Sequence, residues 1–175
     1  MRCLVFLSAL ALVAVAGCDT TDSDANPASG VWTGSVALDF VSVDTQPSTV
    51  FIDTFDVAQS YTLTLEPSQS ETVAVGEIMI SELGTVIRTV VDRPTGDVVQ
   101  RVEVDLDRSV TYTANAIVTG STLRLTVIDR GAATLDPPFE EATLLLQGDE
   151  LRGALNTGPI AFGDLTLVSV VLERQ

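Results

Sequence analysis

From Gly30 to Glu173 the chain alternates apolar and polar residues with a period of two, segment after segment, and no helix-length stretch there repeats every 3.6 residues. Side chains on a strand point to opposite faces in turn, so this alternation is the mark of half-buried strands. Val31–Val43, Val57–Glu66, Thr72–Leu83, Thr85–Val91, Val98–Leu106, Val110–Thr119, Thr122–Ile128, Thr143–Gln147, Leu151–Asn156 and Asp164–Glu173 read as about ten strands rich in Val, Leu, Ile and Thr. The clearest of them sets Val98, Val102, Val104 and Leu106 on one face and Arg101, Glu103, Asp105 and Asp107 on the other, which predicts a core face and a wet face.

Short turns join the neighbours, at 92–97, at Thr119-Gly120-Ser121, at Gly148-Asp149-Glu150 and at Gly163-Asp164. Gly120–Leu125 and Gly148–Gly153 repeat a turn-then-strand pattern, as consecutive hairpins do. Sequential antiparallel strands leave two raw edges unless the sheet closes or stacks. The expected fold is therefore all-β, an antiparallel up-and-down meander of about eight to ten strands closed as a barrel, with a β-sandwich as the alternative. Aromatic residues are only 5% of the chain and form no girdles, which argues against an outer-membrane barrel.

Ahead of the strands stand a single Arg2, an apolar run from Leu4 to Ala14 and then Val15-Ala16-Gly17-Cys18. A basic start, an apolar run of about a dozen residues and small residues at the cleavage point make a secretory signal. The run is too short to span a bilayer, which needs roughly 20 apolar residues. Val15-Ala16-Gly17-Cys18 resembles the lipobox of bacterial lipoproteins. That resemblance implies a signal peptide over 1–17, lipidation of the Cys18 thiol, further acylation and a stable membrane anchor. The alternative is cleavage after Ala16, which fits an A-x-A site and releases a soluble protein. Residues 18–29 (CDTTDSDANPAS) carry no apolar periodicity and read as an acidic tether of up to roughly 40 Å at 3.3 to 3.6 Å per residue. Residues 30–175 then make one domain.

Both cysteines, Cys3 and Cys18, precede the domain, so its stability rests on packing without a disulfide. All nine basic residues are Arg, against 24 acids, for a formal charge of −15. Such a surface repels nucleic acid and anionic headgroups and suits solubility at high salt. With no His, no Lys and no thiol in the domain, the usual bases for activating a nucleophile are missing. No enzyme activity, no metal and no cofactor are expected. A carboxylate-based hydrolase is the residual alternative, although Asp105-Asp107 and Glu140-Glu141 read as solvated charge.

Gly30-Val31-Trp32 at the start of the first strand looks like the G-x-W signature of lipocalins. The resemblance implies that Trp32 closes one barrel end beneath a basic residue of the last strand, a place that Arg174 fills. A cation–π pair there is worth roughly 0.5 to 2 kcal/mol. Asp44–Ser60 interrupts the strands and sets Phe51, Ile52 and Phe55 in a loop-like stretch, a candidate lid over an apolar pocket. The other reading is an outer strand whose alternate residues join the core. Leu135–Glu141 (LDPPFEE) reads as a rigid loop with one exposed aromatic, Phe139. The functional expectation is a lipid-anchored protein of the bacterial envelope, at the outer rather than the inner membrane, that binds a small apolar ligand or an envelope protein. Asp19, which resembles an inner-membrane retention signal of some enteric bacteria, leaves the choice of membrane open. A structural lipoprotein with a filled core is the alternative.

Overall fold

The alternating segments form eight antiparallel strands in the computed structural model, which describes residues 26–128, 135–160 and 162–175. They are β1 (Gly30–Thr45), β2 (Thr49–Pro67), β3 (Val73–Asp92), β4 (Val98–Thr119), β5 (Thr122–Ile128), β6 (Glu141–Gln147), β7 (Glu150–Thr157) and β8 (Thr166–Arg174). Each strand pairs with the next, and β8 returns to β1 through Trp32 opposite Arg174 and Thr33 opposite Glu173, closing an up-and-down barrel. The fold is thus the expected all-β barrel of lipocalin-like architecture.

Two of the expected strand breaks are absent. Thr72–Leu83 and Thr85–Val91 run together as β3, and Val98–Leu106 and Val110–Thr119 run together as β4. The stretch Asp44–Ser60 is not a loop either: β1 turns at residues 46–48 and β2 begins at Thr49, in continuous register with β1 from Thr45 opposite Val50 to Gly30 opposite Leu65. Hairpin turns work as the sequence predicts at Gly120 (φ 60°) and Gly148 (φ 62°), where the positive φ of a tight turn suits a residue without a Cβ.

An up-and-down meander puts alternate connections at opposite ends. One end carries the start of β1, the short turns after β2, β4 and β6, and the C-terminus. The other end, the mouth, carries the turns after β1 and β3 and the longer connections after β5 and β7. Inward positions supply the core, led by Trp32, Tyr61, Tyr112, Phe55, Leu38, Leu63, Ile78, Leu123 and Leu144, all essentially buried.

The barrel wall is lopsided. β1 to β4 are 16 to 22 residues long and β5 to β8 only 7 to 9. β5 pairs with β4 only from Thr113 to Thr119. The long strands therefore project beyond the mouth as a four-stranded sheet, with β4 unpaired by β5 from Val98 to Tyr112. This corrects the core face expected on β4: Leu106 is buried, but Val102 and Val104 are 38% and 39% exposed, because β5 reaches only as far as Thr113, and Val98, beyond a bulge, is 62% exposed.

Candidate functional site at the barrel mouth

The closed end is built from residues 26–32 and the end of β8. The Arg174 guanidinium lies 4.3 Å from the centre of the Trp32 ring, and its Nη1 and Nη2 donate to the carbonyls of Ser29 and Pro27 at 2.8 and 2.6 Å. Trp32 Nε1 donates to the carbonyl of Ala28 at 2.8 Å, and Ala28 is fully buried. Residues 26–29, expected to belong to the tether, are instead part of this closure, because Trp32 and Arg174 supply donors for their carbonyls.

Halfway up the barrel a polar brace replaces apolar packing. Glu82 on β3 is buried; its Oε1 accepts from Gln59 Nε2 at 2.8 Å and from the backbone N–H of Ile160 at 2.7 Å, and its Oε2 accepts from Arg108 Nε at 2.7 Å. Arg108 also donates to the Ile160 carbonyl, Gln59 Nε2 to the Gly158 carbonyl at 3.2 Å, and the Tyr61 hydroxyl to Gln59 Oε1. Burial pushes the Tyr61 phenol well above its ordinary range; the hydrogen bond with Thr157 opposes that shift and the Glu82 charge adds to it. The brace stitches the connection after β7 into the barrel as a plug, with Ile160 fully buried.

Phe162 continues the plug upward. Its ring meets Phe55 edge-on at 5.8 Å, Phe55 stacks on Phe40 at 4.6 Å, and Arg108 sits 5.9 Å from the Phe162 ring centre. Above it, Ser42, Asp44, Phe51, Asp53, Arg88, Phe162 and Asp164 line a cleft of about 430 Å³ between the plug and the inner face of the projecting sheet. Asp53 is engaged by Arg88 through two bonds of 2.7 and 2.5 Å, and Ser42 donates to Asp164 at 2.7 Å. The bond to Asp53 raises the Arg88 pKa further, against a smaller opposing effect of burial. Arg88 remains half exposed, with its guanidinium 5.9 Å from the Phe51 ring centre. Behind Phe162 a second cleft of about 390 Å³ runs between the plug and Leu135–Pro138.

The candidate lid is thus dispersed along a strand. Phe51 faces the cleft, Ile52 points to the opposite face of the projecting sheet, and Phe55 is a fully buried core residue, as the outer-strand reading allows. Phe139 is also buried, 6.2 Å edge-on from Tyr61, so the aromatic expected to be exposed is a stopper for the connection before β6. Trp32 and Arg174 do come together. Cys18 lies outside the described residues.

No family model, curated protein or solved structure matches this chain. The site therefore rests on its own geometry. Sequence reasoning passed over Gln59, Glu82 and Arg108, yet a signal was present. Each occupies an inward phase, Gln59 between Val57 and Tyr61 and Glu82 between Ile80 and Gly84, and a polar residue in an apolar phase asks for a buried partner.

Proposed function

We propose that this protein is a lipid-anchored lipoprotein of the bacterial envelope whose barrel acts without bond chemistry, by docking an envelope protein at its mouth. The anchor rests on Val15-Ala16-Gly17-Cys18 and the acidic residues after it. The observation that carries the docking mode is the plug. With Gln59, Glu82 and Arg108 tying Gly158 and Ile160 across the interior, the clefts of several hundred cubic ångströms lie above the brace, open and of mixed polarity. A carrier of a small apolar molecule instead needs an enclosed apolar cavity. The Phe51–Arg88–Phe162 cleft offers rings and a half-exposed guanidinium, the groups enriched where proteins meet. Asp44, Asp53 and Asp164, the carboxylates a hydrolase would recruit there, are already engaged by Gln46, Arg88 and Ser42.

Native mass spectrometry of the full chain released in mild detergent from its own membrane tests this. The expected result is acyl mass on an N-terminal peptide beginning at Cys18, and a stoichiometric protein partner that is lost with Phe51→Asp. An unmodified N-terminus at Gly17 would overturn the anchor, and a co-purifying small apolar molecule in place of a protein would overturn the docking mode.

A further inference from the structure

We infer that the projecting sheet carries a second site, on its β4 edge, and that its occupant is a second copy of this chain paired antiparallel about a two-fold axis at Val102. β4 pairs with β3 along its length, but on its other side β5 reaches only Thr113 to Thr119. Among the described residues, no strand covers that side from Val98 to Arg108. Such an edge presents a row of unpaired backbone groups, which proteins normally blunt with charged side chains, Pro, a bulge or an inward charge, and whose partner those same charges then select. This edge has no Lys or Pro; its inward Arg108 is turned into the barrel onto Glu82, and above it the inward positions are Leu106, Val104, Val102 and Gln100.

The charges select the partner. In a two-fold antiparallel pair, residue i faces residue j with a constant sum, and side chains of one parity share a face. Centring the axis on Val102 sets Arg101 opposite the partner's Glu103, twice by symmetry, with Val102 on Val102 and Gln100 on Val104 on the other face. Moving the axis by one residue sets Arg101 on Arg101 or Glu103 on Glu103. Moving it further toward the barrel sets Glu103 on Asp105, or Asp105 on Asp105. Opposed like charges across strands are destabilising, so within the regular stretch from Gln100 to Val104 only the Val102 register pairs both Arg101 side chains with carboxylates and sets no carboxylate against another. Arg101 and Glu103 are both exposed, and neither has an ion pair among the described residues. The bulge at Val90/Val91, where β4 slips from Gln100 to Val98, ends the regular edge just beyond the paired stretch. Pairing merges two four-stranded sheets into one and covers the half-exposed Val102 and Val104 without using the cleft at Phe51 and Arg88.

The register makes a test by charge exchange. Two differently tagged full-length copies are co-expressed and co-purified from membranes in mild detergent. Wild-type copies are expected to co-purify. Arg101→Glu with Arg101→Glu, which sets Glu on Glu, and Glu103→Arg with Glu103→Arg, which sets Arg on Arg, are expected to fall roughly tenfold. Arg101→Glu with Glu103→Arg restores both opposite-charge pairs and is expected to recover the wild-type yield. As a second readout, Val102→Cys copies should form a disulfide dimer in the membrane, whereas Val41→Cys copies on the outer face of β1 should not. Wild-type copies that fail to co-purify, variant pairs that behave alike, or a Val102→Cys thiol that cross-links to another protein would each overturn the inference.

Discussion

At the scale of single residues, the molecule is decided by a few polar side chains set where apolar ones are the rule. Glu82 is 1% exposed, and three donors reach its carboxylate, from Gln59, Arg108 and Ile160. A buried carboxylate is tolerable only with such partners, and removing its cation leaves an uncompensated charge. Arg108→Met is therefore expected to cost about 3 to 5 kcal/mol, read as a shift in urea midpoint at constant slope. Replacing both partners, Glu82→Leu with Arg108→Met, removes the charge with its counter-ion and should return at least about 1 kcal/mol of that loss, although Gln59 and the Ile160 amide lose an acceptor. A single Arg108→Met that costs under about 1 kcal/mol would mean that Glu82 finds other compensation. The contact of Trp32 with Arg174 was legible in the sequence, because a barrel brings its first and last strands together and the two residues lie at the start of β1 and the end of β8. The brace was not, because its members come from β2, β3, β4 and the connection after β7, and their meeting depends on registers that no single segment encodes.

At the scale of elements, period two was a sound guide to which face a residue occupies and a poor guide to where a strand stops or what covers it. Gly84 shows the first failure. It looks like a break between two apolar stretches, yet β3 passes straight through it, opposite Val57 on β2 and Leu106 on β4. Its φ is 152°, and a Cβ added there would fall on the carbonyl oxygen of Asp56 and the Cα of Val57. The glycine marks close approach of two backbones, a use of glycine within strands that sequence alone does not distinguish from a turn. Gly84→Ala is accordingly expected to destabilise by roughly 1 to 3 kcal/mol in thermal or urea unfolding. Gly96→Ala, in the turn after β3, meets open space at φ 78° and should cost less, about 1 kcal/mol. Equal losses at the two positions would remove the argument for close approach. Val102 and Val104 show the second failure: alternation assigns them to the inner face correctly, but whether a core lies against that face depends on how far β5 to β8 reach. Phe139 reverses the error, since a loop-like sequence delivered a buried ring.

At the scale of the whole molecule, charge opposes both folding and pairing, and the magnitudes decide under which conditions each succeeds. Two bodies of formal charge −15 whose centres lie about 35 Å apart, the spacing expected for domains of this size, repel by about 25 kcal/mol in unscreened water. With a Debye length of about 30 Å at 10 mM salt the repulsion is still about 8 kcal/mol, and at about 8 Å in 0.15 M salt it falls below about 1 kcal/mol. The Arg101–Glu103 pairs across a β4 dimer, worth about 0.2 to 1 kcal/mol each, weaken over the same range but are far smaller. Co-purification of the two tagged copies should therefore rise between 10 mM and 0.15 M sodium chloride and change little beyond. Repulsion within one chain acts over shorter distances, so its relief continues to higher salt, where the Debye length reaches about 3 Å. The melting temperature is expected to rise from 10 mM to 1 M sodium chloride, and to rise at least as much in Arg101→Glu, which makes the net charge more negative by two while removing the pairing contact and so separates screening within the barrel from any gain through pairing. A flat melting temperature would show that the acids of the barrel are spaced widely enough for self-repulsion not to limit the fold.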